Sequence, residues 1–256
     1  MSVRAGTSGT VLAETRRWLP ALLAAVCFAL PGCTEPVAPA PSGMAAGGAG
    51  GMGELSIPTR VQLEKLLASV RVAAARAHPG GYERGCREGQ RCVFGPSWTD
   101  DYDGPGGHDG CDTRNNVLSA QLTGVSFRPG THDCVVTAGT LDDPYTGERI
   151  TFSKADARDI QIDHVYPLAA AWDLGAVHWP LERRVRFAND VDVNLLATAA
   201  YANQAKGDST ASEWLPPVRT NHCFYAGKYL RVAVRYDLPV TAADHAVLSG
   251  IASSCP

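Results

Sequence analysis

The spacing of apolar side chains changes several times along this chain, and each change marks an expected element. From Ile57 onward, Val61, Leu63, Leu66, Leu67 and Val70 recur at helical intervals, which predicts a packing helix ending near His78-Pro79-Gly80-Gly81. Residues 80–150 carry many Gly, Pro and Asp, with short apolar runs such as Cys134-Val135-Val136 and turns such as Asp142-Asp143-Pro144-Tyr145-Thr146-Gly147, so short strands and loops are expected. Ile160 and Ile162 alternate with polar residues in Arg158–His164, predicting a strand whose end presents Asp163 and His164, with Pro167 closing it. Neighbours on a strand face opposite sides, so those two side chains are free to take different roles. Leu168–Gly175 and Leu181–Ala188 read as short helices, Val191–Leu196 as a brief extended stretch, and Thr198–Lys206 as a helix stopped by Gly207. Two further helices are expected at Cys223–Tyr236 and Ala242–Ser253, the second opened by Thr241 with Asp244 three residues on. The order strand, connection, strand, helix within such a mixture describes an α+β protein, and no internal repeat is visible.

The N-terminal stretch has a different character. Arg16 and Arg17 precede an apolar run from Trp18 to Leu30, too short to span a bilayer comfortably, and Pro31-Gly32-Cys33 ends it, so residues 1–33 read as an export signal. Residues 34–53 are rich in Pro, Ala, Gly and Ser with almost no charge, the composition of a flexible linker, which leaves 54–256 as the folded domain. Leu30-Pro31-Gly32-Cys33 also resembles a bacterial lipobox, which implies lipid on Cys33 and anchoring at the outer face of the cell membrane; the alternative is a secreted product without it. Thr15-Arg16-Arg17-Trp18-Leu19 matches only the start of a twin-arginine signal. Either route takes the mature chain out of the cytoplasm.

At 256 residues and 45% apolar, the chain has enough material for a sizeable core. Its formal charge is −3, and losing Arg4, Arg16, Arg17 and Glu14 with the signal makes it −5. An acidic balance argues against tight nonspecific binding to nucleic acid through many phosphate contacts, while leaving room for a local positive rim and a bound cation. Apart from Cys27 and Cys33, the cysteines are Cys86, Cys92, Cys111, Cys134, Cys223 and Cys255. An even number in an oxidising compartment suggests disulfides, and proximity along the chain favours Cys86 with Cys92, Cys111 with Cys134 and Cys223 with Cys255 among the pairings open to six cysteines. None of them has zinc-knuckle spacing.

The candidate chemistry lies in Ile162-Asp163-His164-Val165-Tyr166-Pro167, in Val193-Asn194-Leu195-Leu196, and in Tyr201-Ala202-Asn203-Gln204-Ala205-Lys206-Gly207-Asp208. Hydrolysing a phosphodiester takes a base for the attacking water, a counterion for the phosphoryl oxygens and help for the departing oxygen. A histidine titrates near 6.5 and suits the first task, while carboxylate and carboxamide oxygens suit a hard cation such as Mg²⁺. A lone Asp-His pair would say little. Outside these segments, His108, His132, His178, His222 and His245 read as solvated or core histidines, and Trp172, Trp179 and Trp214 as core aromatics.

These segments resemble the HNH, or ββα-metal, endonucleases, and within them the secreted branch related to the C-terminal nuclease domain of GmrSD-type restriction enzymes. The likeness runs over most of residues 82–248 and includes Gly110-Cys111-Asp112-Thr113-Arg114-Asn115, Asp143-Pro144-Tyr145-Thr146-Gly147, Phe187-Ala188-Asn189-Asp190 and Glu213-Trp214-Leu215-Pro216. It implies a disulfide-braced ββα-metal core with surrounding helices and short strands. The resemblance makes His164 the general base, Asp163 and Asn203 ligands of one divalent cation, Mg²⁺ first and Mn²⁺ as an alternative, and Asn194 the residue that orients the histidine. It gives Lys206 a place near phosphate or at the helix cap and Asp208 a turn-fixing role, while Arg114 is open to a bidentate phosphate contact or a buried pair with Asp112 or Asp143. Val193 departs from relatives, which often run aspartate or proline directly into the asparagine. The function so implied is a secreted metal-dependent endonuclease acting on DNA, with RNA as a second polymer. Two rivals are an inactive envelope-tethered binding module of the same fold and another exported metal-dependent hydrolase.

Overall fold

The computed structural model describes residues 57–256; the expected export signal (1–33, with Cys33) and linker (34–53) lie outside the described residues. The first helix, α1 (Arg60–Ser69), is opened by a reciprocal cap in which Thr59 Oγ1 accepts from Gln62 N and Gln62 Oε1 accepts from Thr59 N. It buries Leu63 and Leu67 and stops well before His78. The shorter span has a physical reason: β-branched Val70 and Val72 favour extended backbone, and β1 (Val72–Ala73) pairs in parallel with β7 (Val240–Thr241) near the C-terminus.

The Gly- and Asp-rich stretch holds a helix that its composition conceals. Asp112 caps α2 (Thr113–Gln121) by accepting from Asn115 N at 2.8 Å, and α2 turns Val117 and Leu118 inward. An antiparallel three-stranded sheet follows, in the order β2 (Thr123–Phe127), β3 (Val136–Asp142) and β4 (Arg149–Ser153). The strand β5 (Ile160–His164) then leads through α3 (Leu168–Asp173) and α4 (Leu181–Ala188) to β6 (Leu195–Ala199), which pairs antiparallel with β5, and α5 (Ala200–Lys206) continues directly from β6. Gly207 ends α5 at φ +55°, backbone that glycine adopts readily. The long α6 (His222–Tyr236) and α7 (Ala242–Ala252) close the chain, the latter with the expected Thr241/Asp244 capping box.

The β5–β6 pair lies between two apolar clusters, and strand alternation sorts its side chains between them. Ile160, Ile162, Leu195 and Ala197 join Val117, Leu118 and Phe152 in the smaller cluster. Leu196 faces the larger one, with Leu63, Phe187, Tyr225, Tyr229 and Leu248, and Ala199 joins it where β6 turns into α5. Each fully buried aliphatic side chain contributes about 1.5–3 kcal/mol, so the strand pair that carries Asp163 and His164 is held from both sides. Disulfides join Cys86 to Cys92, Cys111 to Cys134 and Cys223 to Cys255, the pairing that chain proximity favours.

Candidate active site

At the end of β5, the alternation of the strand sends two reactive side chains to different surroundings. Asp163 points into a buried polar knot. Its Oδ1 accepts from Lys206 Nζ at 2.9 Å and its Oδ2 from Tyr145 Oη at 2.5 Å, while Lys206 Nζ also donates to the His164 carbonyl at 2.9 Å. Burial lowers the Lys206 pKa, and the charge and hydrogen bond of Asp163 oppose that shift. Tyr145 reaches Asp163 because the turn Asp143–Gly147 is tightly laced: Asp143 Oδ2 accepts from Thr146 N and Oγ1, and Oδ1 accepts from Thr198 Oγ1 at 2.7 Å. Burial first, and Asp163 after it, raise the Tyr145 pKa well above 10, so the phenol remains a donor.

His164 is half-buried and stacks on Trp98, with ring centroids 5.7 Å apart and planes 11° from parallel. Its Nε2 lies 2.9 Å from the Ala188 carbonyl oxygen. A carbonyl only accepts, so Nε2 carries the proton and Nδ1 is left as the acceptor. Burial, with the Arg84 guanidinium acting in the same direction, lowers the His164 pKa to about 4, against the opposing pull of the Ala188 hydrogen bond and Asp163. At neutral pH the imidazole is therefore uncharged, with the Nδ1 lone pair unprotonated.

Asp163, His164 and Asn203 line one pocket of about 400 Å³, together with Tyr82, Arg84 and Asp208. Asn203 Nδ2 donates to Gln161 Oε1 at 2.9 Å, and among the described residues no donor meets Asn203 Oδ1. A larger hollow of about 600 Å³ near Tyr102, Leu181, Arg186 and Tyr236 contains none of the candidate residues, so chemistry rather than size singles out the smaller pocket. Among the described residues, no group of three or more His, Cys, Asp or Glu side chains is arranged around a common point. The hard donors at the pocket are one carboxylate and one carboxamide, and both have oxygen capacity to spare: a carboxylate offers about four lone-pair sites, of which two are used here.

The structure places the other expected residues differently from the sequence reading. Asn194 does not bond His164. It is fully buried, accepts from Tyr166 N through Oδ1 at 2.9 Å and from Val165 N through its carbonyl at 2.8 Å, and reaches the Phe187 carbonyl through Nδ2 at 3.4 Å. It thus ties the exit of β5 to the end of α4, and the acceptor that orients the imidazole is the neighbouring Ala188 carbonyl. Lys206, expected near phosphate or at the helix cap, is buried under the site because its ammonium compensates Asp163. Arg114 makes no ion pair among the described residues: its Nη2 donates to the carbonyls of Ala157 and Ile160, at 3.1 and 3.0 Å, tying α2 to the start of β5. Asp208 accepts from Arg76, which also grips Asp173, so it fastens the segment after β1 to the pocket rim.

Four contributors to the site escape a reading of motifs. Tyr145 belongs to a turn motif whose side-chain target only tertiary packing reveals, and Ala188 contributes a backbone carbonyl that no side-chain pattern advertises. Trp98 and Arg84 sit in loop sequence without period.

The family model described as GmrSD restriction endonucleases, C-terminal domain, matches residues 112–251 of this chain. A protein of Arthroderma benhamiae described as an uncharacterized secreted protein is 37% identical over 146 residues, which cover 57% of this chain and 68% of that relative. No solved structure matches. The family match contains Asp163, His164, Asn194, Asn203 and Lys206, and it begins after Arg84 and Trp98.

Proposed function

The chain belongs to the family of GmrSD restriction endonuclease C-terminal domains, and from that premise we propose an exported metal-dependent endonuclease that hydrolyses phosphodiester bonds in DNA, with His164 as general base. RNA is the second polymer to test. In this reading β5, β6 and α5 form a ββα-metal core. The observation that carries it is the meeting of a neutral imidazole, a carboxylate and a carboxamide at a single pocket.

The geometry suits the division of labour. His164 Nε2 is committed to Ala188, so Nδ1 takes the proton from an attacking water, and stacking on Trp98 limits the ring's freedom to turn away. Asp163 and Asn203 Oδ1 would hold a divalent cation, Mg²⁺ or Mn²⁺, whose contribution when bound is to stabilise negative charge on the phosphoryl and leaving oxygens. Tyr145 and Lys206 fix the Asp163 carboxylate from behind, which leaves it little rotational freedom. Asn194 acts at one remove, holding together the two backbone segments that bear His164 and Ala188.

Export is supported by three disulfides and by the secreted description of the relative. Among the described residues no helix is long and apolar enough to cross a membrane. Intact mass of the exported product separates a chain lipidated on Cys33 from one cut beyond it.

Incubating the purified protein with plasmid DNA in Mg²⁺ or EDTA tests the reading. Cleavage is expected in Mg²⁺ and none in EDTA, and His164→Ala should lower the rate by about 10²–10⁴-fold. Equal cleavage by the variant would overturn the role of His164. An inactive tethered module, or a hydrolase of another polymer, requires intact plasmid in every lane.

A further inference from the structure

From sequence, Lys206 and Arg114 are the expected phosphate contacts, yet one is buried against Asp163 and the other is spent on backbone carbonyls. A pocket that takes a phosphodiester still needs a positive group. Of the side chains lining it, Arg84 alone is a permanent cation. We propose, building on the nuclease reading above, that Arg84 is the substrate-binding residue that grips the scissile phosphate, supplied by the segment that precedes the family-matched region.

Three observations support this assignment. First, the guanidinium is largely uncommitted: its one hydrogen bond among the described residues is from Nη1 to the Gly95 carbonyl, at a long 3.3 Å, and no carboxylate lies within ion-pair distance of it among those residues. A guanidinium has five N–H donors, so most of the fork is open for an anion. Second, it is rigidly based. Val93 N donates to the Glu83 carbonyl at 3.1 Å and Cys92 N to the Gly85 carbonyl at 2.9 Å, so these backbone bonds bracket Arg84 on both sides, and the Cys86–Cys92 disulfide closes the loop beyond them. Buried Val93 and Phe94 anchor the return of the loop in the larger core. Third, it lines the same pocket as Asp163, His164 and Asn203, beside the groups to which a phosphodiester would be presented. A half-buried cation without a carboxylate, beside an imidazole, is unfavourable until an anion arrives, the condition of a binding group rather than a structural ion pair.

The test compares wild type, Arg84→Ala, Arg84→Gln and Arg84→Lys on a short fluorescein-labelled DNA duplex, measuring binding in EDTA across a salt series and cleavage in Mg²⁺. Losing one phosphate contact should reduce the slope of log K against log salt by about one in Arg84→Ala and Arg84→Gln. It should also lower kcat/KM by about 10²–10³-fold, as removal of one preorganised donor does. Arg84→Lys should keep the slope, retaining the charge, but recover only part of the rate because an ammonium lacks the planar fork. A merely structural arginine would not set the salt slope. Should Arg84→Ala not fold, Arg84→Gln carries the test, with native disulfides verified by mass. An Arg84→Gln protein with unchanged slope and unchanged kcat/KM, beside an active wild type, overturns the assignment of Arg84 and leaves the nuclease reading standing. A wild type that neither binds nor cleaves overturns both.

Discussion

Lys206 Nζ lies 2.9 Å from Asp163 Oδ1, and both side chains are buried, at 1% and 4% exposure for the two residues. The carboxylate at the pocket floor therefore has its charge compensated from inside the protein, and the lysine is unavailable to substrate. Breaking such a pair by removing one partner leaves an isolated buried charge, worth about 3–5 kcal/mol of lost stability. Lys206→Met is expected to lose that much in urea denaturation, and combining it with Asp163→Asn should restore most of it. A Lys206→Met protein of wild-type stability would show that the pair is not what holds this region.

Asn194 is the second buried organiser. Asn194→Ala removes the acceptor of Tyr166 N and the link to Phe187, leaving a buried donor without a partner, a loss of about 1–3 kcal/mol. Because the histidine is oriented through the backbone that Asn194 ties down, kcat should fall more than KM rises. Steady-state kinetics on the folded variant would check the split, and a change in KM alone would place Asn194 among substrate contacts instead.

On α6, Lys228 is 6% exposed and donates to the Asp192 carbonyl at 3.3 Å; burial and Arg231 lower its pKa to about 8, against Asp190 and Asp192. The folded value lies below the ordinary 10.5, so folding disfavours the ammonium. That penalty is fully present below pH 8 and is relieved as pH rises from 8 towards 10.5. Lys228→Met should therefore stabilise the protein near neutral pH, by at most roughly 3 kcal/mol, with a gain that shrinks towards pH 10. Denaturation midpoints of both proteins across that range test the sign, and a gain that grows with pH contradicts it.

The three disulfides close loops of different length, with sequence separations of 6, 23 and 32 residues. Chain entropy makes the longest the most stabilising, at about 4 kcal/mol for Cys223–Cys255 against about 2 kcal/mol for Cys86–Cys92. Paired Cys→Ser replacements should lower the thermal midpoint in that order. In addition, loss of Cys86–Cys92 should weaken DNA binding, because that disulfide closes the loop whose base bears Arg84.

Much of the local architecture was legible without coordinates, because it depends on contacts between residues close in sequence. The Leu181–Ala188 helix, the Thr241/Asp244 cap and the strand ending in Asp163-His164 all follow from periods and side-chain-to-backbone bonds spanning a few positions. The α2 helix is hidden by Gly- and Asp-rich neighbours, and α1 is shorter than its apolar period suggests because the segment after it finds a strand partner near the C-terminus.

By itself, the order of residues determined which side chains are chemically able to act: the Asp163-His164 pair, Asn203, and cysteines placed so that neighbours along the chain join. Only the tertiary structure decided how each is employed. It sank Lys206 beneath Asp163, turned Arg114 to the carbonyls around the start of β5, gave the orienting bond of His164 to Ala188, and brought Arg84 to the pocket from the base of a disulfide-closed loop far upstream. The reason is physical: a side chain's type sets what it is able to bond, whereas burial and the nearest partner set what it does bond, and those partners are chosen by packing between segments that share no pattern.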